Sequence, residues 1–300
     1  MENKALTVVK SNKVVEASYK LTLMEQRILL ACIAKIKSKE VLLEDNHFEI
    51  SAMEIVDLVG LNHASRAYEA LEEAANQLSK RQVIINNPDT DKPKTKRLVI
   101  NWISSIYYQP GEGKVIIRFT HDMIPYLSNL SSNFTQYKLN NVMQFKSTYS
   151  IRIYEMLMQW KSTGKREIEV EWLKKQLQVE NCYPLIADFK KWVINSSVLE
   201  INKHADIWVK YTQRKAGRTI THFIFNFGEK EPKKTTATKA NGTKPLIPLF
   251  TGHPEYTVDS EAILADHQRL KIKPEPKPPK TLDSDKKSKI TGLKRAVKHG

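Results

Sequence analysis

The strongest constraint on the fold is an order of elements that the chain spells twice. Thr22-Leu-Met-Glu25 is a capping box, in which a threonine hydroxyl and a glutamate carboxylate satisfy backbone N–H groups that a helix start leaves orphaned. It predicts an apolar helix running to about Lys37. A strand is expected at His47 to Ile50 (HFEI), and Ser51-Ala-Met-Glu54 then opens a short helix. After Gly60-Leu-Asn62, a longer helix from about Asn62 to Lys80 carries Ala67, Leu71, Ala74 and Leu78 at helical spacing. Strands at Gln82 to Asn86 and Arg97 to Tyr107, joined by the polar loop NPDTDKPKTK, and a third at Lys114 to Phe119 complete the unit.

The second half repeats this order. A helix is expected from about Thr148 to Lys161, a strand at Arg166 to Val170 and a short helix at Glu171 to Leu177. A longer helix runs from Pro184 to about Ser197, with proline in the first turn, where its missing N–H costs nothing. Asp206 to Gln213 and Arg218 to Phe227 alternate as strands, and Gly217 suits a short hairpin loop that needs positive φ. Short phrases recur as well: FEIS and IEVE precede the second helix of each unit, and VIIN and VLEIN enter each hairpin. Helix, strand, helix, turn, helix, hairpin is the order of a winged helix-turn-helix. The expected class is therefore α+β, with two tandem winged-helix domains at residues 1–145 and 146–228.

Composition changes after Phe227. Residues 229–300 hold 8 of the 13 prolines and 16 Lys and Arg against 9 Asp and Glu, with runs such as KIKPEPKPPK. Such a segment cannot bury enough apolar surface to order itself, so 229–300 reads as a disordered basic tail, with one short helix possible near Ser260 to Leu270. The whole chain carries a formal net charge of +15, of which the tail supplies only seven, so the body is basic in its own right. That excess points to a polyanionic partner, double-stranded DNA above all, although a merely solvated basic surface has the same charge.

Where the charge sits sharpens the choice. On a wheel of about 100° per residue, Leu185, Ile186, Phe189, Trp192 and Val193 share one arc and are expected to pack. The other arc carries Asp188, Lys191 and Asn195, with Ala187 beside them, Lys190 at the margin and Ser196 following. Small, polar and cationic groups suit a DNA groove, and asparagine can pair with an adenine edge, but the same face also suits water. The corresponding first-half helix presents Glu69, Glu72 and Glu73 against Arg66 and Lys80, and would repel phosphates. The first half's cations lie instead in its hairpin loop, at Lys92, Lys94, Lys96 and Arg97, where they can touch backbone without reading sequence. In the second hairpin Lys210, Arg214, Lys215 and Arg218 form a candidate phosphate clamp.

Catalytic readings find little footing. There is no GxxxxGK[ST] phosphate loop, and the histidines are isolated from one another, so neither nucleotide hydrolysis nor a metal-dependent nicking site is expected. No cofactor or metal is expected, and His222 reads as a core or interface histidine on an alternating strand. Cys32 and Cys182 lack a CxxC or Cys/His setting, so both are expected reduced, with Cys32 packed in its helix. The longest apolar run, ILLACIA at 28–34, falls short of the ~18 residues that span a bilayer. The N-terminus lacks a secretory pattern, so a cytoplasmic, membrane-free protein is expected.

Three stretches carry a resemblance: VVKSNKVVEASYKLTLMEQRILL, YKLNNVMQFKSTYSIRIYEML, and DFKKWVINSSVLEIN followed by KAGRTITHFIF. In this order, from about Val8 to Phe227, they closely resemble plasmid replication initiators that bind repeated origin sequences, or iterons. The resemblance implies a non-enzymatic protein whose second domain places its third helix in the major groove, while the first contacts DNA backbone and forms a dimer interface. It implies that monomers bind iterons and open the origin with a host initiator and the replicative helicase, whereas dimers bind an operator inverted repeat and repress their own promoter. By position, the reading helix is Pro184 to Ser197, with Lys190, Lys191, Asn195 and Ser196 as contacts, and the wing includes Arg214, Lys215 and Arg218. The chain departs from the family in having lysines at 190 and 191, where arginines are frequent. Lysine cannot make arginine's forked pair with guanine, so these two are expected on phosphate. The alternatives are a dimeric transcriptional repressor without initiator activity and an interaction scaffold for acidic partners.

Overall fold

The structure, a computed structural model, describes residues 6–36, 43, 46–59, 67–88 and 94–231. The tail readings beyond Glu231, the 60–62 turn, Arg66 and Lys92 lie outside the described residues, whereas Glu229, expected at the start of the tail, is the last residue of β10. In chain order the elements are β1 (Thr7–Ser11), α1 (Asn12–Val15), α2 (Leu23–Ala34), β2 (Phe48–Ser51), α3 (Ala52–Val59), α4 (Ala67–Leu78), β3 (Gln82–Asn86), β4 (Arg97–Asn101), β5 (Ile103–Gln109) and β6 (Lys114–Phe119). There follow β7 (Phe134–Lys138), α5 (Asn140–Met143), α6 (Thr148–Met158), β8 (Lys165–Glu169), α7 (Val170–Gln176), α8 (Ile186–Phe189), a π-helical turn (Lys190–Asn195), α9 (Ser196–His204), β9 (Ile207–Ala216) and β10 (Thr219–Glu229).

The capping box is present: the Glu25 N–H donates to Thr22 Oγ1 at 3.3 Å, and the Thr22 N–H to Glu25 Oε2 at 2.9 Å. The buried Glu25 carboxylate also takes two bonds from Arg81, at 2.9 and 3.0 Å, and so joins the start of α2 to the end of α4. Because α2 is buried from Glu25 to Ile33, it forms the centre of the first domain, and Cys32 packs within it as expected. The expected strand from Arg97 to Tyr107 is broken at Trp102. There the chain leaves the two-stranded β3–β4 sheet and enters the β2–β6–β5 sheet, with the fully buried indole edge-on to Tyr19 at 5.0 Å. Alternation cannot show such a change of sheet, since the residues on either side keep strand character.

In the second domain the sheet runs β8–β10–β9. Phe223, Phe225 and Phe227 face inward against Phe189, Val193, Ile194 and Ile201, each such side chain contributing about 1.5–3 kcal/mol by burial. The phrase VLEIN does not enter the hairpin. Val198 to Asn202 lie in α9, which continues to His204, whereas VIIN is in β3. The difference is in burial period: Val83 and Ile85 alternate inward, while Ser197 and Ile201 are a helical turn apart, and Asn202 in the last turn of α9 clasps Val209 N and O at 2.7 and 2.8 Å.

Two further elements were not foreseen. β1 and β7 pair antiparallel, from Thr7 with Lys138 to Ser11 with Phe134, and this ribbon lies against α6, every residue of which is buried. At its centre Glu155 receives Lys10 Nζ at 2.5 Å and the Tyr137 hydroxyl, while Arg152 Nη1 lies 3.9 Å from its second oxygen. Arg152 also stacks on Tyr19, 3.7 Å from the ring centroid, and donates to Ala17 O at 2.6 Å. Burial and the adjacent carboxylate hold the Tyr137 phenol well above its usual pKa, so it remains a donor. Further along, Arg166 pairs with Glu16 at 2.8 Å and Ser18 Oγ donates to Lys175 O at 2.7 Å, tying the segment before α2 to β8 and α7.

Removing one partner of a buried ion pair strands the other. Glu155→Ala is expected to lower stability by about 3–5 kcal/mol in urea unfolding, and a Lys10→Met/Glu155→Leu double variant to recover most of that loss. A loss below about 1 kcal/mol would show that Lys10 escapes to water when its partner is gone.

Candidate nucleic-acid interface

The helix expected at Pro184 to Ser197 begins two residues later. Leu185 is its extended N-cap and is 64% exposed, so it leaves the arc assigned to the core. Phe189 and Val193 are fully buried as expected, but Ile186 and Trp192 are only half-buried, and Ile194, Ser197 and Ile201 are buried in addition. The reason is the π-helical turn at Lys190–Asn195, whose wider i→i+5 closure steps the buried stripe on by one residue. A wheel drawn at a constant α-helical angle cannot show this step.

On the outer side Ala187 and Lys191 are exposed, and Asp188, Lys190, Asn195 and Ser196 are half-buried. Lys191 Nζ lies 5.1 Å from the Trp192 ring centroid, which keeps the ammonium close to the helix surface. Asn195 is placed by the strand beside it: Tyr211 of β9 donates its hydroxyl to Asn195 Oδ1 at 2.5 Å. Tyr211 went unnoticed in the sequence, where it reads as one inward position of the alternation Ile207, Val209, Tyr211.

The hairpin carries its cations as follows. Ile207 and Val209 point inward; Trp208, Lys210, Thr212 and Arg214 are exposed on the other face of β9. The turn follows Ala216 paired with Thr219, with Gly217 at φ 60°, and Lys215 and Arg218 stand exposed at the tip. Arg214 is engaged within the sheet, 3.0 Å from Glu167 and within 2.9 Å of both His222 ring nitrogens. His222 accordingly lies on the half-exposed outer face, beside an open cleft of about 510 Å³ that Glu16 and Trp172 also line. It is not a core residue, because the inward positions of β10 belong to the phenylalanines.

The first domain's hairpin is separate. Lys94, Lys96 and Arg97 are exposed there; Lys94 has φ 66°, and Lys96 O accepts from Asn87 N at 2.9 Å. Lys13 Nζ donates to Asn87 O at 2.7 Å, a cation at the base of this loop that the sequence did not single out. On α4, Glu69 and Glu73 are exposed and Glu72 half-buried, so the first domain's counterpart of the Ile186–His204 helix presents acid. Among the described residues no helix is long and apolar enough to cross a membrane.

Known proteins match this architecture over the whole body. Residues 7–158 match the family described as initiator replication protein, WH1, and residues 169–227 match the initiator Rep protein, WH2. The chain is 29% identical over 255 residues to the PI protein of Escherichia coli, covering 75% of this chain and 83% of that protein. It is 26% identical over 227 residues to a replication initiation protein of Escherichia coli, covering 73% of this chain and 69% of that one. The crystal structure of the Pi initiator protein in complex with iteron DNA superposes with a TM-score of 0.67 at 27% identity, over 77% of this chain and all of that one.

Since L side chains in the left-handed region cost about 1–2 kcal/mol, Gly217→Ala is expected to lower stability by that amount in thermal unfolding. Gly217→Asn, which tolerates this region, should lose less. Equal losses for the two would mean that the tip rearranges rather than keeping φ 60°.

Proposed function

The chain belongs to the initiator replication protein family, and on that premise we propose that it initiates replication of a plasmid by binding iteron DNA at the origin. The observation that carries this reading is the outer face of the π turn and its flanks, with Lys190, Lys191, Asn195 and Ser196 on one helix beside a hairpin whose tip bears Lys215 and Arg218. That helix is the base-reading element. Lys191, compact and exposed, serves a phosphate, as does Lys190. Lys210, Lys215 and Arg218 clamp the backbone; Arg214, already neutralised in part by Glu167, is the weaker contact of the wing.

The first domain, residues 1–145, anchors rather than reads. The acid on α4 supports this, as do Lys94, Lys96 and Arg97 in its hairpin, with Lys92 close by in the sequence, and residues 146–228 carry the sequence reading. Self-association belongs to the first domain too: β5 lies at the edge of its sheet and carries Tyr107 at 47% exposure. In the finer scheme a monomer opens the origin with a host initiator and helicase, and a dimer represses the protein's own promoter at an inverted repeat. The basic tail, residues 229–300, adds nonspecific affinity. No step requires catalysis by this chain or a cofactor, and the site of action is the cytoplasm.

Footprinting the purified protein on the DNA flanking its gene tests the reading directly. Protection of direct repeats is expected; protection of a lone palindrome would leave repression without initiation. Lys94→Ala and Lys215→Ala should each weaken binding to every sequence and make the salt dependence shallower by about one unit of slope, whereas an unchanged slope would remove that residue from the interface. A chain ending at Glu231 should keep its preference for the repeats and lose affinity for random DNA.

A further inference from the structure

The amide of Asn195, on the outer helix face, is held by a partner on another element. Its carbonyl oxygen points to Tyr211 at 2.5 Å, and its Nδ2 has no partner among the described residues. Tyr211 is itself immobilised, its ring packed against Phe223 at 5.7 Å and Phe225 at 5.9 Å. Burial pushes the phenol up to about 12, and its hydroxyl donates to the Asn195 carbonyl. The π turn ends at Asn195, next to Ile194 at the start of the displaced buried stripe, which turns this side chain toward β9 rather than fully into solvent.

We propose that Tyr211 is a specificity-determining positioning residue: by taking the Asn195 carbonyl it turns the amide NH2 outward, so this position reads a base-edge acceptor. The proposal rests on the assignment of this helix to the major groove. An asparagine that reads adenine must offer its oxygen to the N6 amino group and its nitrogen to N7 together, with both amide atoms facing the base. With the oxygen held on the wing, the helix offers a donor alone. Guanine, whose N7 and O6 are both acceptors, fits that donor, and adenine loses half of its pair. Tyr211 therefore selects by aiming the acceptor away from the groove, leaving the wrong base's amino group without a partner.

The full-length protein would be titrated against its own footprinted repeat, with every position varied in turn, as wild type, Tyr211→Phe, Asn195→Ala and Lys191→Ala. Wild type is expected to favour guanine over adenine by about tenfold at one position. Asn195→Ala should erase that preference, and Tyr211→Phe should bring adenine to near equality at the same position, with melting temperature, random-DNA affinity and salt slope held. A Tyr211→Phe loss spread evenly over all positions, an unchanged base pattern, or an adenine preference in the wild type would each overturn the proposal. If Asn195→Ala and Lys191→Ala both bind like wild type, the helix itself is not in the groove and both readings fall. If Lys191→Ala binds more weakly while Tyr211→Phe keeps the wild-type pattern, the helix assignment stands and only the role of Tyr211 falls.

Discussion

The arrangement of this molecule depends on one buried carboxylate. Glu155, on a helix with no exposed residue, holds Lys10 and Tyr137 from the β1–β7 ribbon and lies beside Arg152, whose guanidinium reaches back to Ala17 and Tyr19. Charges taken out of water are costly unless each finds its opposite, so this cluster forms as a set or not at all. Such a pair adds little net stability over an apolar core, but it permits only one registration of ribbon on helix. The Arg166–Glu16 and Ser18–Lys175 contacts extend the same seam to the second domain's sheet and short helix.

That seam matters for the proposed division of work between the two domains. The same order of elements delivers an acidic helix in one case and a cation-bearing helix in the other, and phosphate repulsion favours the proposed reading role for the second. The first domain's cations stand on its hairpin, where reach matters and base recognition does not. An anchoring hairpin and a reading helix act on one duplex only if the body between them is stiff.

Much of the fold was legible in local pattern. The Thr22–Glu25 box, the alternation of Val83 and Ile85, the Gly217 turn and the packed Cys32 each follow from a few neighbouring residues, and each is found where the pattern puts it. Three features were misread. The strand through Trp102 was read as continuous because its two sheets impose the same alternation. VLEIN echoes VIIN, yet it lies in α9 rather than entering the hairpin, because its burial follows a helical turn. The core arc of the reading helix was placed with Leu185 because a constant angle per residue was assumed across a segment that contains a π turn. Of the candidate contacts, Lys191, Lys215 and Arg218 stand exposed on a helix face and a hairpin tip, whereas Arg214 is drawn into the sheet and Asn195 into a bond with the wing.

The sequence by itself determined the repeated helix, strand, helix, hairpin order, the capping-box start of α2, the glycine turn and the change of composition after Phe227, because each is set by residues close together in the chain. Only the tertiary structure decided which face of the reading helix is outward, which way the Asn195 amide points and how the two domains lock. Those outcomes depend on partners far apart in the chain, Tyr211 for Asn195 and Lys10 for a glutamate 145 residues away. No periodicity within a single element carries information about them.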